Sequence, residues 1–280
     1  MFAAFVGGLA ADPLTAAAQA PSPAIHLAPH RAVYDIQLTR ASPGSGVAEM
    51  SGRMVFELSG STCEGYTQNM RFVTRMTNQE GTDLINDLRT SSWEEALGKR
   101  LRFNSSQYQN DVLTESTQGD AERSSDEGPV KVEIARPAKK KLTIKDPVYF
   151  PVQHSKALIA AARAGKTMFS ADLYDGSEKG EKVYNTVAVI GRPVAPGATK
   201  MPASIKNVDR LKTLPSWPVS VSYFEKGNEN RDAVPVYEMS YRFYENGVTT
   251  KLNIDYGEFA IRADLAELTF VDGSTCREKP

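Results

Sequence analysis

Apolar side chains recur at every second position through most of this 280-residue chain, a period that strands satisfy and helices do not. From His30 to Thr39, the residues Ala32, Tyr34, Ile36 and Leu38 share one face, with Val33, Asp35, Gln37 and Thr39 opposite. The next run, Glu49 to Ser59, places Met50, Met54, Phe56 and Leu58 inward and Glu49, Arg53 and Glu57 outward. Tyr66, Met70, Phe72 and Met76 then alternate with Thr67, Asn69, Arg71 and Arg75. Three half-buried strands in succession predict an antiparallel meander.

The pattern returns towards the C-terminus. Val234 to Glu245 and Val248 to Tyr256 flank Asn246-Gly247, the dipeptide that favours a type I′ hairpin because both central residues of that turn need positive φ. Trp217 to Phe224 meets Val234 to Tyr244 across a looser loop around Gly227, and Met168 to Tyr174 pairs with Val183 to Ile190 around Asp175-Gly176. In the last run, Glu258 to Val271, the residues Phe259, Ile261, Ala263 and Leu265 hold one parity and Leu268 and Phe270 the other, which predicts a bulge near Ala266.

One segment departs from this period. Residues 151–165 are Ala-rich, open with Pro151 and close with Gly165, as a helix does, with Leu158, Ile159, Ala161 and Ala162 on its apolar face. Thr114 to Gly128 reads as a polar, acidic loop and Arg136 to Lys145 as a basic stretch containing Lys139-Lys140-Lys141, a soluble loop or the guard of a strand edge. The fold expected is mainly β: a large bent antiparallel sheet of roughly a dozen strands, closed or half closed as a barrel, with one covering helix. Tyr34, Met54, Phe56, Tyr66, Met70, Phe72, Trp217, Tyr223, Tyr237, Met239, Tyr241 and Phe243 line its interior, as the wall of an apolar cavity or as packed core.

The N-terminus and the cysteines bear on the compartment. Residues 1–20 fit a signal peptide, with the apolar run Phe2 to Val6 and a small-x-small cleavage site at Ala18-Gln19-Ala20; residues 21–29 read as a linker and 30–280 as one domain. No Lys or Arg precedes the apolar run, so the stretch is an export signal whose start lies upstream, or a disordered tail. The only cysteines, Cys63 and Cys276, form either one long-range clasp or two free thiols, and secretory context favours the clasp. A formal net charge of −1 excludes the basic surplus that nucleic-acid binding needs, and beyond the N-terminus no apolar run is long enough to span a membrane.

Candidate chemistry is sparse. His26 and His30 have the i, i+4 spacing of a helical zinc pair, but Pro29 interrupts it. His154 falls on the expected helix, where a hydrolase would need an activated serine or a paired carboxylate beside it. Asp172, Asp175 and Glu178 could offer oxygen ligands to Ca²⁺ but lack the spacing of an EF-hand, and a solvated hairpin turn accounts for them. No nucleophile elbow, zinc helix or phosphate loop is present, so no catalytic residue, cofactor or metal is expected.

Three segments together resemble one family. Leu27-Ala28-Pro29-His30-Arg31-Ala32-Val33-Tyr34-Asp35-Ile36, then Cys63-Glu64-Gly65-Tyr66, then Asp272-Gly273-Ser274-Thr275-Cys276 are similar to the EipB proteins, envelope-integrity proteins of alphaproteobacteria, over residues 27 to the end. The resemblance implies a periplasmic protein with a β-spiral or broken-barrel fold, related in shape to the LolA and LolB lipoprotein carriers. It also implies one internal disulfide, here Cys63 to Cys276, and a role in maintaining the envelope without known enzymatic activity. The expectation is a periplasmic binding protein for a lipid, a lipoprotein acyl chain or an envelope protein partner. Its alternatives are a structural adaptor with a solid core and an uncharacterised hydrolase centred on His154.

Overall fold

The computed structural model describes residues 24–199, 201, 205, 207–227 and 234–273. Residues 1–20, Cys276 and part of the loop at Gly227 lie outside the described residues. Among those described, fourteen strands form one continuous sheet. The first half comprises β1 (His30–Ala41), β2 (Glu49–Ser61), β3 (Gly65–Thr77), β4 (Asp83–Glu94), β5 (Arg100–Gln109), β6 (Val112–Glu122), β7 (Val130–Arg136) and β8 (Lys140–Ile144). After helix α1 (Pro151–Arg163) come β9 (Met168–Leu173), β10 (Tyr184–Ile190), a short helix α2 (Asp209–Lys212), β11 (Ser216–Glu225), β12 (Tyr237–Tyr244), β13 (Thr249–Asp255) and β14 (Phe259–Phe270).

The strand order is β8-β7-β6-β5-β4-β3-β2-β1-β14-β13-β12-β11-β10-β9, with all neighbours antiparallel. Two meanders, one from each half of the chain, therefore meet where β1 pairs with β14. The sheet does not close into a barrel: β8 and β9 are its two ends in that order. The outer edge of β9 is partly capped by the strand-like segment at Tyr149, whose N–H donates to the Asp172 carbonyl and whose carbonyl accepts from the Tyr174 N–H. Covering an edge in this way removes a template for aggregation.

Curling the sheet brings its halves together. Leu58 of β2 and Tyr66 of β3 share a core with Ala188 and Ile190 of β10 and with Val219 and Val221 of β11. That core is completed by the α1 face Val152, Leu158, Ile159, Ala161 and Ala162. A second core gathers Ala32, Tyr34 and Ile36 of β1 with Ile261, Ala263 and Leu265 of β14 and with Val208 and Leu211 at α2. Each fully buried Leu or Ile contributes about 1.5–3 kcal/mol by leaving water.

The bulge at Ala266 is present: Val33 pairs with Glu267 and Tyr34 with Leu265, so Ala266 has no partner. Helix α1 ends as its glycine predicts. Gly165 adopts φ +71°, and the Gly165 and Lys166 N–H groups return to the carbonyls of Ala162 and Ala161, a Schellman ending.

Three expectations need correction, and one open alternative is decided. Thr114 to Gly128 is not one loop, because residues up to Glu122 form β6 between β5 and β7. The basic stretch contains the edge strand β8, whose Lys140 and Lys141 pair with Glu181 and Glu133, the edge-guard reading rather than the loop. A second helix, α2, accompanies α1. Finally, the hairpin at Asn246-Gly247 is not type I′. Only Gly247 has positive φ, and Tyr244 N–H bonds the Val248 carbonyl across a three-residue loop, a type I turn with a glycine bulge. Two consecutive positive φ values occur instead in the β5–β6 turn, at Asn110-Asp111 (47° and 64°).

Candidate functional site

The curl leaves a cavity of about 610 Å³ between β2–β6 on one side and the β9–β10 loop, β11 and β12 on the other. Its wall follows from strand geometry. Most lining residues are spaced by two along each strand: Gln68 and Met70 on β3; Leu88, Thr90 and Ser92 on β4; Phe103, Ser105 and Gln107 on β5; Glu115 and Thr117 on β6, with Ser91 and Asn104 also reaching its edge. Strand pairing aligns these positions across the sheet. Phe56 opposes Met70, Met70 opposes Thr90, Thr90 opposes Ser105, and Ser105 opposes Thr117. One row of the wall thus passes from aromatic and thioether on β2 and β3 to three hydroxyls on β4, β5 and β6.

Tyr223 and Tyr237 face this row from the other half of the sheet, stacked at 4.3 Å between ring centroids. Burial raises the ionisation of both phenols well above the ordinary range, so they are neutral amphipathic surfaces here. Thr117 is 1% exposed, and its hydroxyl oxygen has no hydrogen-bond partner among the described residues. A buried, unsatisfied hydroxyl is costly unless something at the cavity completes it.

The β9–β10 loop closes the cavity because Gly176 accepts the ring of Phe103. Gly176 lies at φ +77°, and a Cβ there would fall 2.2 Å from Phe103 Cγ. Tyr174, just before it, meets Phe103 edge-on at 5.9 Å and donates from its hydroxyl to the Gly180 carbonyl.

At the N-terminus of α1, Pro151 reaches the cavity, and Glu94 at the end of β4 holds the helix in place. Its carboxylate accepts from the Val152 N–H (2.7 Å) and the Gln153 N–H (2.9 Å). Burial pushes the Glu94 carboxyl up to about 7, opposed by those two backbone donors and by Lys156 and Arg123 nearby. Arg123 threads the same junction, donating to the carbonyls of Gly98 and Val148 and to Gln153 Oε1.

The sequence-derived candidates fall elsewhere. His154 is buried on α1, its Nε2 2.9 Å from Thr186 Oγ1 and its ring against Phe169. Thr186 gives its own proton to the Ala171 carbonyl, so it accepts from His154, whose proton therefore sits on Nε2. No serine or carboxylate hydrogen-bonds this imidazole among the described residues. His30 is wedged between Phe56 and Phe270 with Nδ1 on the Ala28 carbonyl, while His26 is exposed. Asp172 is engaged by Lys226 and Asn185, and Asp175 accepts from the Ser177 N–H. Among the described residues no group of three metal-ligating side chains is assembled. Cys63 lies in the exposed β2–β3 turn, and its expected partner Cys276 is outside the described residues.

The polar half of the cavity was not foreseen, since Thr90, Ser105 and Thr117 break the apolar alternation that would have announced their strands. The signal that could have found them is the pair of unbroken polar runs, Thr90-Ser91-Ser92 and Asn104-Ser105-Ser106-Gln107.

Comparison with known proteins gives a consistent result. The EipB-like family model matches residues 21–272. The cell envelope integrity protein EipB of Brucella abortus (strain 2308) is 36% identical over 257 residues, covering 92% of this chain and 89% of that protein. A crystal structure from Brucella abortus, described as a β-barrel-like protein of a domain of unknown function, superposes with a TM-score of 0.81 at 35% identity. That match covers 89% of this chain and 100% of the other. From the His30-Arg31-Ala32 start to the paired β1 and β14, this chain belongs to the EipB-like family.

Proposed function

We propose that this protein supports the integrity of the cell envelope from the periplasm, without catalysing a reaction, by binding an apolar or lipoprotein-type ligand in the cavity of its curled sheet. The observation that carries the reading is the cavity itself. At about 610 Å³ it falls in the size range of small-ligand sites, and Phe56, Met70, Leu88, Leu173, Tyr223 and Tyr237 give it an apolar side. The kinship with an envelope integrity protein supports the compartment and the process.

The solid-core adaptor reading accounts for other parts of the interior. There α1 and α2 pack into continuous apolar clusters, and those regions hold the fold rather than a ligand. Native mass spectrometry of the protein released gently from its own envelope tests the proposal. An added lipid-sized mass is expected, and Leu88→Trp, which fills the cavity, should abolish it at unchanged circular dichroism. A bare mass for the wild type, or an adduct indifferent to Leu88→Trp, would leave the adaptor as the better account.

A further inference from the structure

The cavity holds a pattern of charge that narrows its ligand. Of the residues lining it, none is Lys, Arg or His, whereas Glu115, Asp175 and Glu178 are all carboxylates. Glu115 and Glu178 stand exposed at the mouth and Asp175 lies half buried on the β9–β10 loop. Among the described residues, none of the three has an ion-pair partner. The outer face of the same strands is built differently. There Asp87 is held between Arg71 and Arg89, Asp83 by Arg75, and Asp120 by Arg102. The cations of β3, β4 and β5 thus face away from the cavity, and its own carboxylates remain uncompensated.

Asp175, half buried, is the least screened of the three, and a ligand charge brought beside it interacts more strongly than it would in bulk water. The negative field reaches the wall: Asp175 adds to the burial that holds Tyr223 and Tyr237 neutral. The orphaned Thr117 hydroxyl marks where an uncharged polar group would be met, at the polar end of the row that begins at Phe56.

Resting on the binding role proposed above, we infer that the cavity is selective by charge: it takes an amphiphile with an uncharged or cationic polar end and rejects one with an anionic head. The apolar tail lies along Phe56 and Met70 against Tyr223 and Tyr237, and the head meets Ser105 and Thr117. An anionic phospholipid or a free fatty acid is therefore a poor ligand. An acyl amide or an alkyl amine is a good one.

The test uses three probes that share one twelve-carbon chain, N-lauroylethanolamine, dodecylamine and laurate, each below its micellar concentration at pH 7.5. They are titrated calorimetrically into the full mature protein, with circular dichroism to verify that it stays folded. The amide and the amine should bind with one-to-one stoichiometry, and laurate at least 10-fold more weakly. Glu115→Gln/Glu178→Gln, two changes at exposed positions, should narrow that gap by strengthening laurate. Equal or tighter binding of laurate to the wild type overturns the charge selectivity and leaves the binding role standing. Failure of all three probes to bind overturns both.

Discussion

The ring of Phe103, on β5, occupies the space where any residue but glycine at 176 would carry its Cβ. The added atom would sit 2.2 Å from Phe103 Cγ and 2.4 Å from Cδ2. This contact ties the loop after β9 to the strands of the first meander and adds to the shared core that brings the two arms of the unclosed sheet together. Gly176 is required twice over, since its φ of +77° also favours glycine.

Gly176→Ala is accordingly expected to destabilise the protein by about 2 kcal/mol or more, combining backbone strain with overpacking. Phe103→Ala should remove the clash but not the strain, so the double variant recovers only part of the loss relative to the two single changes. Thermal and urea denaturation of the four proteins measures this coupling. Strict additivity would mean that the two residues do not meet.

The β1–β3 meander, the β9–β10 and β12–β13 hairpins, the bulge at Ala266 and helix α1 with its glycine stop were all legible in the sequence. In most of these the buried positions are apolar and the exposed ones mainly polar, Met168 and Val189 excepted, so the hydrophobic period reports the strand directly. Strands β4 to β6 were not legible for the reason that makes the cavity interesting. Their inward positions include Thr90, Ser105, Gln107, Glu115 and Thr117, which face a cavity rather than a packed core and erase the alternation. The turn at Asn110-Asp111 was overlooked because neither residue is glycine, although Asn and Asp tolerate positive φ better than other side chains. Glu94 could not be linked to α1 from sequence, being 58 residues from its partner Val152.

Glu94 satisfies two backbone donors of the first turn of α1 that would otherwise be buried without acceptors. Glu94→Ala should lower stability by about 2–4 kcal/mol, the range for hydrogen bonds to a charged group together with exposed donors in the core. Glu94→Gln keeps one acceptor and should fall between. Hydrogen exchange at Val152 and Gln153 gives a local readout. Unaltered protection in Glu94→Ala would show that the helix start is held by something else.

The buried His154 makes stability depend on pH. Burial holds its imidazole down to about 4, against an unfolded value of about 6.5. The folded state therefore binds fewer protons than the unfolded state between these limits. The contribution is complete above about pH 6.5 and is lost as pH falls towards 4, amounting to about 3 kcal/mol. Glu94 acts with the opposite sign in part of this window, because its raised value of about 7 favours the protonated folded form as pH drops. The measurement must therefore be differential: the stability advantage of wild type over His154→Gln should shrink steadily from pH 7 to pH 4. A constant difference would show that His154 does not titrate with folding.

The last prediction concerns the cysteines. Gly273 and Gly60 lie side by side, with a Cβ built on Gly273 coming 3.8 Å from the Gly60 carbonyl oxygen. Each glycine stands three residues before a cysteine, Cys276 and Cys63 respectively, so the last described residue lies beside the strand that leads into the Cys63 turn. A clasp there would tie down the strand β14 that joins the two meanders, and closing a loop of this length stabilises by up to about 5 kcal/mol in the chain-entropy account. Cys63→Ser and Cys276→Ser should each lower the melting temperature and increase protease sensitivity. Reductant should bring the wild type to the same point while leaving either variant unchanged. If all three proteins melt together with and without reductant, the thiols are free and β14 is held by its ladders to β1 and β13 without a covalent clasp.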